Sequence, residues 1–300
     1  MISADSDIRL LRIFRTVVEA GGLACAQADL NLSLSTISGY LASLETRLGL
    51  TLCHRGRSGF RLTDEGQAVY NEALRVLASL SQFNDRMSSL KGTPAGELRI
   101  GLTDNTILDG SLPLSKIIGQ FCKDAPDVVI SIVTKPPNEL IKNLISGEID
   151  VAIASFPQAP ESLSYDELYA ETQLFYCGEG HPLFNRDAAS VGLDEIADHA
   201  IVARSYWSDR DLSIFPTISA RATVSDMEAE AQLILSGRFL GYLPEHYARI
   251  FESAGRMRSV RPDLLRYRAV FSAAYKSDAR SAGASLTIFV KLLAGSRSNS

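Results

Sequence analysis

Ile37, Leu41, Leu44 and Leu48 fall at i, i+4, i+7 and i+11, one apolar stripe at helical period that must turn toward a core. The stripe leaves Ser35, Thr36, Ser38, Gly39, Tyr40, Ser43 and Arg47 on the other sides. Small hydroxyls, one aromatic and one cation approach phosphates and base edges without steric conflict. Ser33 stands at the N-cap position, and a helix N-terminus favours an anion because its first N–H groups are unpaired. Upstream, Leu23, Ala26 and Leu30, with Leu32 in the turn, offer the nearest apolar partner. Downstream, Arg55, Arg57 and Arg61 ride on a hairpin that Gly56 and Gly59 allow to reverse. The outline is a winged helix-turn-helix. A plain helical hairpin with a solvated hydroxyl face fits the helix pair equally well.

The longer stretch LRIFRTVVEAGGLACAQADLNLSLSTISGYLASLETRLGLTLCHRGRSGFRLTDEG resembles the DNA-binding domain of the LysR-type transcriptional regulators. Phe14, Val17, Gly21, Ala26, Leu30, Ser33, Ser38, Leu41, Leu44, Glu45, Leu48, Gly49, Leu52, Arg55, Leu62, Thr63 and Gly66 match at unbroken spacing. Gln27, Leu34 and Gly39 depart from the usual alanine, glutamine and basic residue, so the operator sequence is not readable from them. The resemblance implies double-stranded DNA as a partner, a small-molecule effector, a homodimer or homotetramer, and RNA polymerase as a further contact. On this helix Thr36, Ser38, Tyr40 and Ser43 are expected at base edges and nearby backbone, with Ser33, Ser35, Arg55 and Arg57 on phosphates.

Charge agrees with a local patch rather than a basic coat. The whole chain carries a formal −5, yet its first 62 residues hold seven arginines against five acids, a basic head on an acidic body. The opening MISADSDIRLLR has no apolar signal core, and no apolar run approaches the ~18 residues of a membrane span. A cytoplasmic protein without membrane contact is expected.

After the hairpin, Thr63 followed by Asp64 and Glu65 reads as an N-cap with acids in the first turn. Gly66, Ala73, Leu80 and Met87, with Val69, Val76, Phe83 and Leu90, then repeat every 3.5 residues. So narrow a seam predicts a protruding helix paired with its twin. Tyr70, Leu74 and Leu77 widen it enough for packing on its own domain as the alternative. The resemblance assigns this helix to dimerisation. A hinge follows at 91–96, where two glycines and a proline end the helix.

Strand and helix then alternate: strands at 97–103, 128–134 and 149–155, helices at 112–123 and 136–146. The alternation argues for a parallel α/β sheet. The pattern breaks at 156–160. A second set follows, with strands at 163–170, 173–177, 200–204, 221–224 and 239–243 and helices at 193–198 and 226–235. A strand at 266–275 and a helix at 284–293 return the chain to the first lobe. Gly147, Asp150 and Ala152, the His181-Pro182-Leu183 turn, and Gly237, Gly241, Leu243 and Pro244 match the looser C-terminal pattern of the same family. The expected fold is therefore α/β with an N-terminal all-α winged helix-turn-helix. A two-lobed, periplasmic-binding-protein-like effector domain is joined to it by a long linker helix. The expected domains are 1–62, 63–92 and 93–300, with lobe I near 97–160 and 266–295 and lobe II near 163–265.

Ligands of open parallel sheets sit beyond the carboxyl ends of the strands. Those ends supply Thr103, Asp104, Asn105, Thr134 and Lys135 in one lobe and Arg204, Tyr206, Trp207 and Ser225, with Ser205, in the other. Tyr206 and Trp207 would wall an apolar ligand, and Lys135 and Arg204 would hold an anionic one. A partly exposed loop tryptophan among solvated cations is the alternative. Neither cofactor nor metal is expected: Cys25, Cys53, Cys122 and Cys177 lie far apart without paired spacing. Cys25 and Cys53 read as small buried hydrophobes, and Cys122 or Cys177 as the only candidates for a redox switch. No catalytic motif surrounds His54, His181, His199 or His246, and Asp104 alone does not make an acid–base site, so an enzyme is not expected. The rival is a small-molecule receptor of the periplasmic-binding type whose N-terminal helices only dimerise. It lacks an export signal and leaves the arginine hairpin without a purpose.

Overall fold

The computed structural model describes residues 5–54, 59–89, 94–108, 110–187, 190–215, 219–277 and 283–296. The chain divides into two compact units, one spanning Met1–Lys91 and the other the bulk of Gly92–Ser300.

The first unit opens with helices α1 (Asp5–Glu19), α2 (Ala26–Leu30) and α3 (Leu34–Leu48). A hairpin of β1 (Cys53–His54) and β2 (Arg61–Leu62) and the long helix α4 (Asp64–Ser89) complete it. Ile37, Leu41 and Leu44 of α3 are buried as the stripe requires, and Leu48 packs against them from the edge. Their main partner is not the short α2. Helix α1, which the spacing of the motif alone does not reveal, supplies Leu10, Leu11, Ile13, Phe14 and Val17 to the same core, while α2 fully buries only Ala26. Gly49 takes the left-handed conformation at the C-cap of α3, with φ 68°, where a side chain is strained. The wing is antiparallel, Cys53 opposite Leu62 and His54 opposite Arg61. Arg55, Arg57 and Gly56 lie outside the described residues.

Thr63 caps α4: its Oγ1 accepts the Gly66 N–H at 2.8 Å and donates to the Thr51 carbonyl at 2.7 Å. A Cβ on Gly66 would stand 1.8 Å from the Leu52 carbonyl oxygen, so the helix lies directly on the wing backbone. Val69, Tyr70 and Ala73 continue into the head core. The first half of the predicted seam therefore serves its own domain. Val76, Phe83 and Met87 stay exposed, with Phe83 at 57%; Leu90 lies outside the described residues.

The second unit is built on one nine-stranded sheet. Its first half contains β3 (Ala95–Leu102), α5 (Leu114–Asp124), β4 (Asp127–Thr134), α6 (Pro137–Ser146) and β5 (Val151–Ala154). Then come β6 (Leu163–Gly178), α7 (Leu193–Ala197), β7 (Ala200–Arg204), α8 (Ser208–Asp211), β8 (Ala222–Val224), α9 (Met227–Leu235) and β9 (Phe239–Pro244). The chain closes with α10 (Glu245–Ser253), β10 (Met257–Ser259), β11 (Arg266–Lys276) and α11 (Ala284–Gly295). The strand order is β4-β3-β5-β11-β6-β9-β7-β8, with β10 also on β6. Strands β3, β4 and β5 are parallel, as are β7, β8 and β9. The two long strands between these sets, β6 and β11, run antiparallel to each other along most of their lengths and join the lobes. The predicted pair 163–170 and 173–177 is thus one sixteen-residue strand. The predicted hinge is shorter too, because Ala95 and Gly96 already belong to β3.

Both faces of each half are covered, as parallel strands require. Along β5, Val151 and Ile153 meet α5 and α11 through Phe121 and Phe289, while Ala152 and Ala154 meet Leu140 and Leu144 of α6. In lobe II, Phe175 and Cys177 of β6 face one core and Tyr176 the other. Gly241 of β9 admits α9 to close range; a Cβ there would lie 2.7 Å from Val202 Cγ1 and 3.1 Å from Ile234 Cδ1.

Candidate functional site

Two surfaces collect the residues that the sequence singles out. On the head, Ser33 is the N-cap of α3, its Oγ accepting the Thr36 N–H at 3.2 Å. The same oxygen shares hydrogen bonds with Ser35 Oγ at 2.9 Å and Thr36 Oγ1 at 2.8 Å. Gln27, one of the departures from the family pattern, is a second cap: its Oε1 accepts the Leu34 N–H at 3.0 Å. Two first-turn N–H groups of α3 are thus taken by the chain's own side chains, which leaves the hydroxyls rather than those amides for a phosphate. Ser33, Leu34, Ser35, Thr36 and Gly39 are exposed, and nothing stands within 4 Å of a Cβ on Gly39. Ser38, Tyr40 and Ser43 are half-buried. The Arg9 guanidinium sits 5.1 Å from the centroid of the Tyr40 ring, a cation on α1 that no reading of α3 alone would find. Arg47 is exposed but already committed, because it pairs with the buried Asp7 of α1.

The second surface is a half-open cleft in the other unit. Thr103, Ser155, Glu171, Gln173, Arg204, Tyr206 and Trp207 line it with Pro137, Met227, Ala269 and Phe271. Four of the predicted effector residues, Thr103, Arg204, Tyr206 and Trp207, are brought together here. Thr134, Lys135 and Ser225 are not: they lie outside the lining, Thr134 and Ser225 exposed and Lys135 with its N–H on the Leu102 carbonyl. Asn105 also lies outside the lining, two residues after Thr103, in the left-handed region with φ 59°. Asp104 reaches across the lobes, its Oδ2 accepting the Met227 N–H at the start of α9 at 2.6 Å.

Arg204 corrects the expectation most sharply. Its guanidinium is 3% exposed and already engaged: Nε and Nη2 donate to the two oxygens of Asp211 at 3.1 and 2.7 Å. Nη1 donates to Gln173 Oε1 at 3.3 Å, and Nη2 also meets the Tyr267 hydroxyl, which donates to Asp211 at 2.8 Å. Glu230, wholly buried, stands 3.6 Å from Nε. Burial disfavours the charge of Arg204, but Tyr267, Asp211 and Glu230 outweigh it and raise its pKa above the ordinary value. Burial pushes the Glu230 carboxyl well above its usual 4.5 against the pull of Arg204. Arg204 is a wall of the cleft, not a spare cation for an anionic ligand.

Trp207 is half-buried, with the Arg210 guanidinium 4.9 Å from its ring and 4.6 Å from that of Tyr267. The lining residues that strand-end reasoning missed are Ser155, one position past β5, and Glu171 and Gln173. Their signal is two polar residues on one face of a strand that otherwise alternates toward a core. His181 is a turn residue: its Nδ1 accepts the Leu183 N–H at 3.1 Å, and burial with His199 lowers its pKa to about 4. Cys25 is exposed, contrary to expectation, and Cys122 is exposed as well; Cys53 and Cys177 are buried. Burial pushes the Cys177 thiol up to about 12, against a redox role. Among the described residues no group of His, Cys, Asp and Glu forms a metal cluster, and no helix is long and apolar enough to cross a membrane.

Known proteins share this plan. Residues 8–67 match the description "Bacterial regulatory helix-turn-helix protein, lysR family", and residues 91–293 match "LysR substrate binding domain". The HTH-type transcriptional activator BauR of Pseudomonas aeruginosa is 37% identical over 265 residues, covering 88% of this chain and 87% of that protein. The HTH-type transcriptional regulator YtlI of Bacillus subtilis is 29% identical over 196 residues, 65% of this chain and 62% of its own. Among solved structures, full-length CbnR in complex with its target DNA superposes with a TM-score of 0.64 at 20% identity, covering 97% of this chain and all of that one. The full-length virulence activator AphB of Vibrio cholerae gives 0.57 at 17%, over 96% and 98%. These are proteins of transcription regulation rather than enzymes. Both family descriptions fall on the units drawn above, one on the capped helix and wing and the other on the two-lobed sheet. The chain thus belongs to the LysR family: it is a DNA-binding transcriptional regulator with an effector-binding domain.

Proposed function

We propose that residues 1–62 bind duplex DNA, that 63–92 pair two copies of the chain, and that 93–300 sense a small molecule between the lobes. Helix α3 lies in a major groove with Thr36, Ser38, Tyr40 and Ser43 at base edges and nearby backbone. Ser33, Ser35, Arg55 and Arg57 take phosphates. The observation that carries this reading is the rotation of α3: Ile37, Leu41 and Leu44 are buried on one side, while Ser35, Thr36 and Gly39 face outward, with open space around Gly39. The exposed Val76, Phe83 and Met87 of α4 supply an apolar surface for a second copy. A dimer or tetramer, acting in the cytoplasm, would set two such helices about 34 Å apart on a partly palindromic site. Effector in the cleft shifts the populations of lobe arrangements, and through α4 the spacing or bend of the two DNA contacts. RNA polymerase is the proposed further partner.

Selection of genomic fragments on the purified protein yields the operator. On it, Arg55→Ala with Arg57→Ala is expected to weaken operator and random DNA alike and to flatten the dependence of log K on log salt, by about one unit of slope for each phosphate no longer neutralised. Unchanged salt slopes in fluorescence anisotropy would refute the wing assignment.

A further inference from the structure

Helix α3 has one basic residue, Arg47, and Asp7 already holds it. The exposed positions Ser35, Thr36 and Gly39 therefore carry no charge of their own to meet a phosphate. Thr36, Tyr40, Ser43 and Arg47 fall at i, i+4, i+7 and i+11, one stripe of the helix surface. Helix α1 touches the C-terminal part of that stripe at two points. Asp7 holds Arg47, and two residues further along α1 the Arg9 guanidinium stands over the Tyr40 ring, 5.1 Å from its centroid. The N-terminal part, at Thr36, is open to solvent. Arg9 itself is exposed, and among the described residues no carboxylate pairs with it, whereas Arg15 of the same helix faces Glu19.

We propose that Arg9 is a DNA-contacting residue, a guanidinium from outside the helix-turn-helix that takes a backbone phosphate beside the groove in which α3 lies. Tyr40 is its platform. This rests on α3 being the helix that enters the groove. A guanidinium over a ring is attracted through its flat face, while its N–H donors lie in its own plane and stay free for a bidentate partner such as phosphate. A lysine ammonium offers no such division of labour. Contact with the ring also restrains a long side chain beforehand, so less rotamer freedom is lost when the phosphate arrives. The major groove is about 12 Å wide and bordered by phosphates, so turns of α3 set into it bring one border against the flank where Arg9 stands. Helix α3 thereby gains the cation that its own residues do not spare. Because every duplex presents the same phosphates, the contact adds affinity and register but no preference for a base.

The test uses the full chain, its selected operator and a random duplex, in fluorescence anisotropy over a series of salt concentrations. Arg9→Ala should weaken binding to both duplexes about tenfold, the worth of one charge-assisted hydrogen bond. It should also flatten the plot of log K against log salt by about 0.9 of a unit. A role confined to fastening α1 on α3 would lower stability to urea and leave that slope alone. Arg12→Ala removes the same charge one turn along α1, from an exposed residue with no ring contact among the described residues, and should change the slope less. The platform is read through coupling: Arg9→Ala should cost as much beside Tyr40→Phe as in the unaltered chain, but only a small part of that beside Tyr40→Leu. An unchanged slope in Arg9→Ala overturns the inference. So does an equal change in Arg12→Ala, or a full cost of Arg9→Ala beside Tyr40→Leu. Arg9 is exposed, so the slope of its alanine variant does not depend on a packed side chain that may fail to fold. Ser35→Ala with Thr36→Ala separates the two readings. If that pair and Arg9→Ala both leave operator binding untouched, the fault lies with α3 as the groove helix; if the pair weakens it and Arg9→Ala does not, the fault lies with Arg9 alone.

Discussion

The head and the effector domain both carry hydroxyls and arginines on the surfaces proposed to meet partners, and they treat these groups in opposite ways. On α3 the polar residues stand toward water on a single helix, and their strong commitments are to its caps, Ser33 and Gln27. In the cleft Arg204 is closed in by residues of β6, α8, α9 and β11. Exposure leaves a group available to a partner. Burial obliges it to satisfy its neighbours, because desolvation of an unpaired charge costs several kcal/mol. A cation in the sequence therefore means different things in the two places.

The contrast is tested most severely at Asp211. Asp211→Asn leaves the buried guanidinium without its bidentate partner, and the effector domain should lose about 3–5 kcal/mol in urea denaturation of the full chain. A loss under about 1 kcal/mol, the worth of a surface pair, would erase the distinction. Glu230 sharpens it through pH. The unfolded chain releases this proton near 4.5, whereas burial makes the folded chain hold it to higher pH. Its contribution is therefore complete below the unfolded value and is lost as pH rises toward the folded one, by at most about 1.4 kcal/mol per pH unit. Glu230→Gln should flatten that decline in stability measured across acid to neutral pH; an unaltered slope would mean an ionised carboxylate. The smallest effect is expected at the other extreme, on the open helix. Ser33→Ala removes one cap while Gln27 keeps the other, and amide exchange in the first turn of α3 should report about 1 kcal/mol less protection. A drop as large as that at Asp211 would show the head to be no less tightly wired than the cleft.

The elements most readable in the sequence were those whose causes are local. The strand at 200–204 and the helix cap at Ser33 coincide with their predictions, since period and capping act within a few residues. Pro244 ends β9, one residue beyond the expected strand, and also stands at the N-cap of α10, a helix that periodicity did not reveal. Strands β6 and β11 were legible as apolar runs but not as bridges between lobes, because pairing partners such as Leu163 and Lys276 are chosen by topology. The candidate site divided in the same way. Thr103, Tyr206 and Trp207 were found at strand ends, whereas Glu171 and Gln173 lie in the middle of a strand where no ligand rule looks.

By itself the sequence determined the head: the stripe of α3, its cap, its hydroxyl face and the family to which they point follow from spacings of a few helical turns. It also determined that strands and helices would alternate afterwards. Only the tertiary structure decided that the first half of the α4 seam closes the head core, and that Arg47 answers Asp7. Only it decided that Arg204 belongs to Asp211 rather than to a ligand. Each of these depends on which distant groups arrive beside a buried charge or an apolar face. Burial energies act on final neighbours, and no local pattern in the chain records who those neighbours will be.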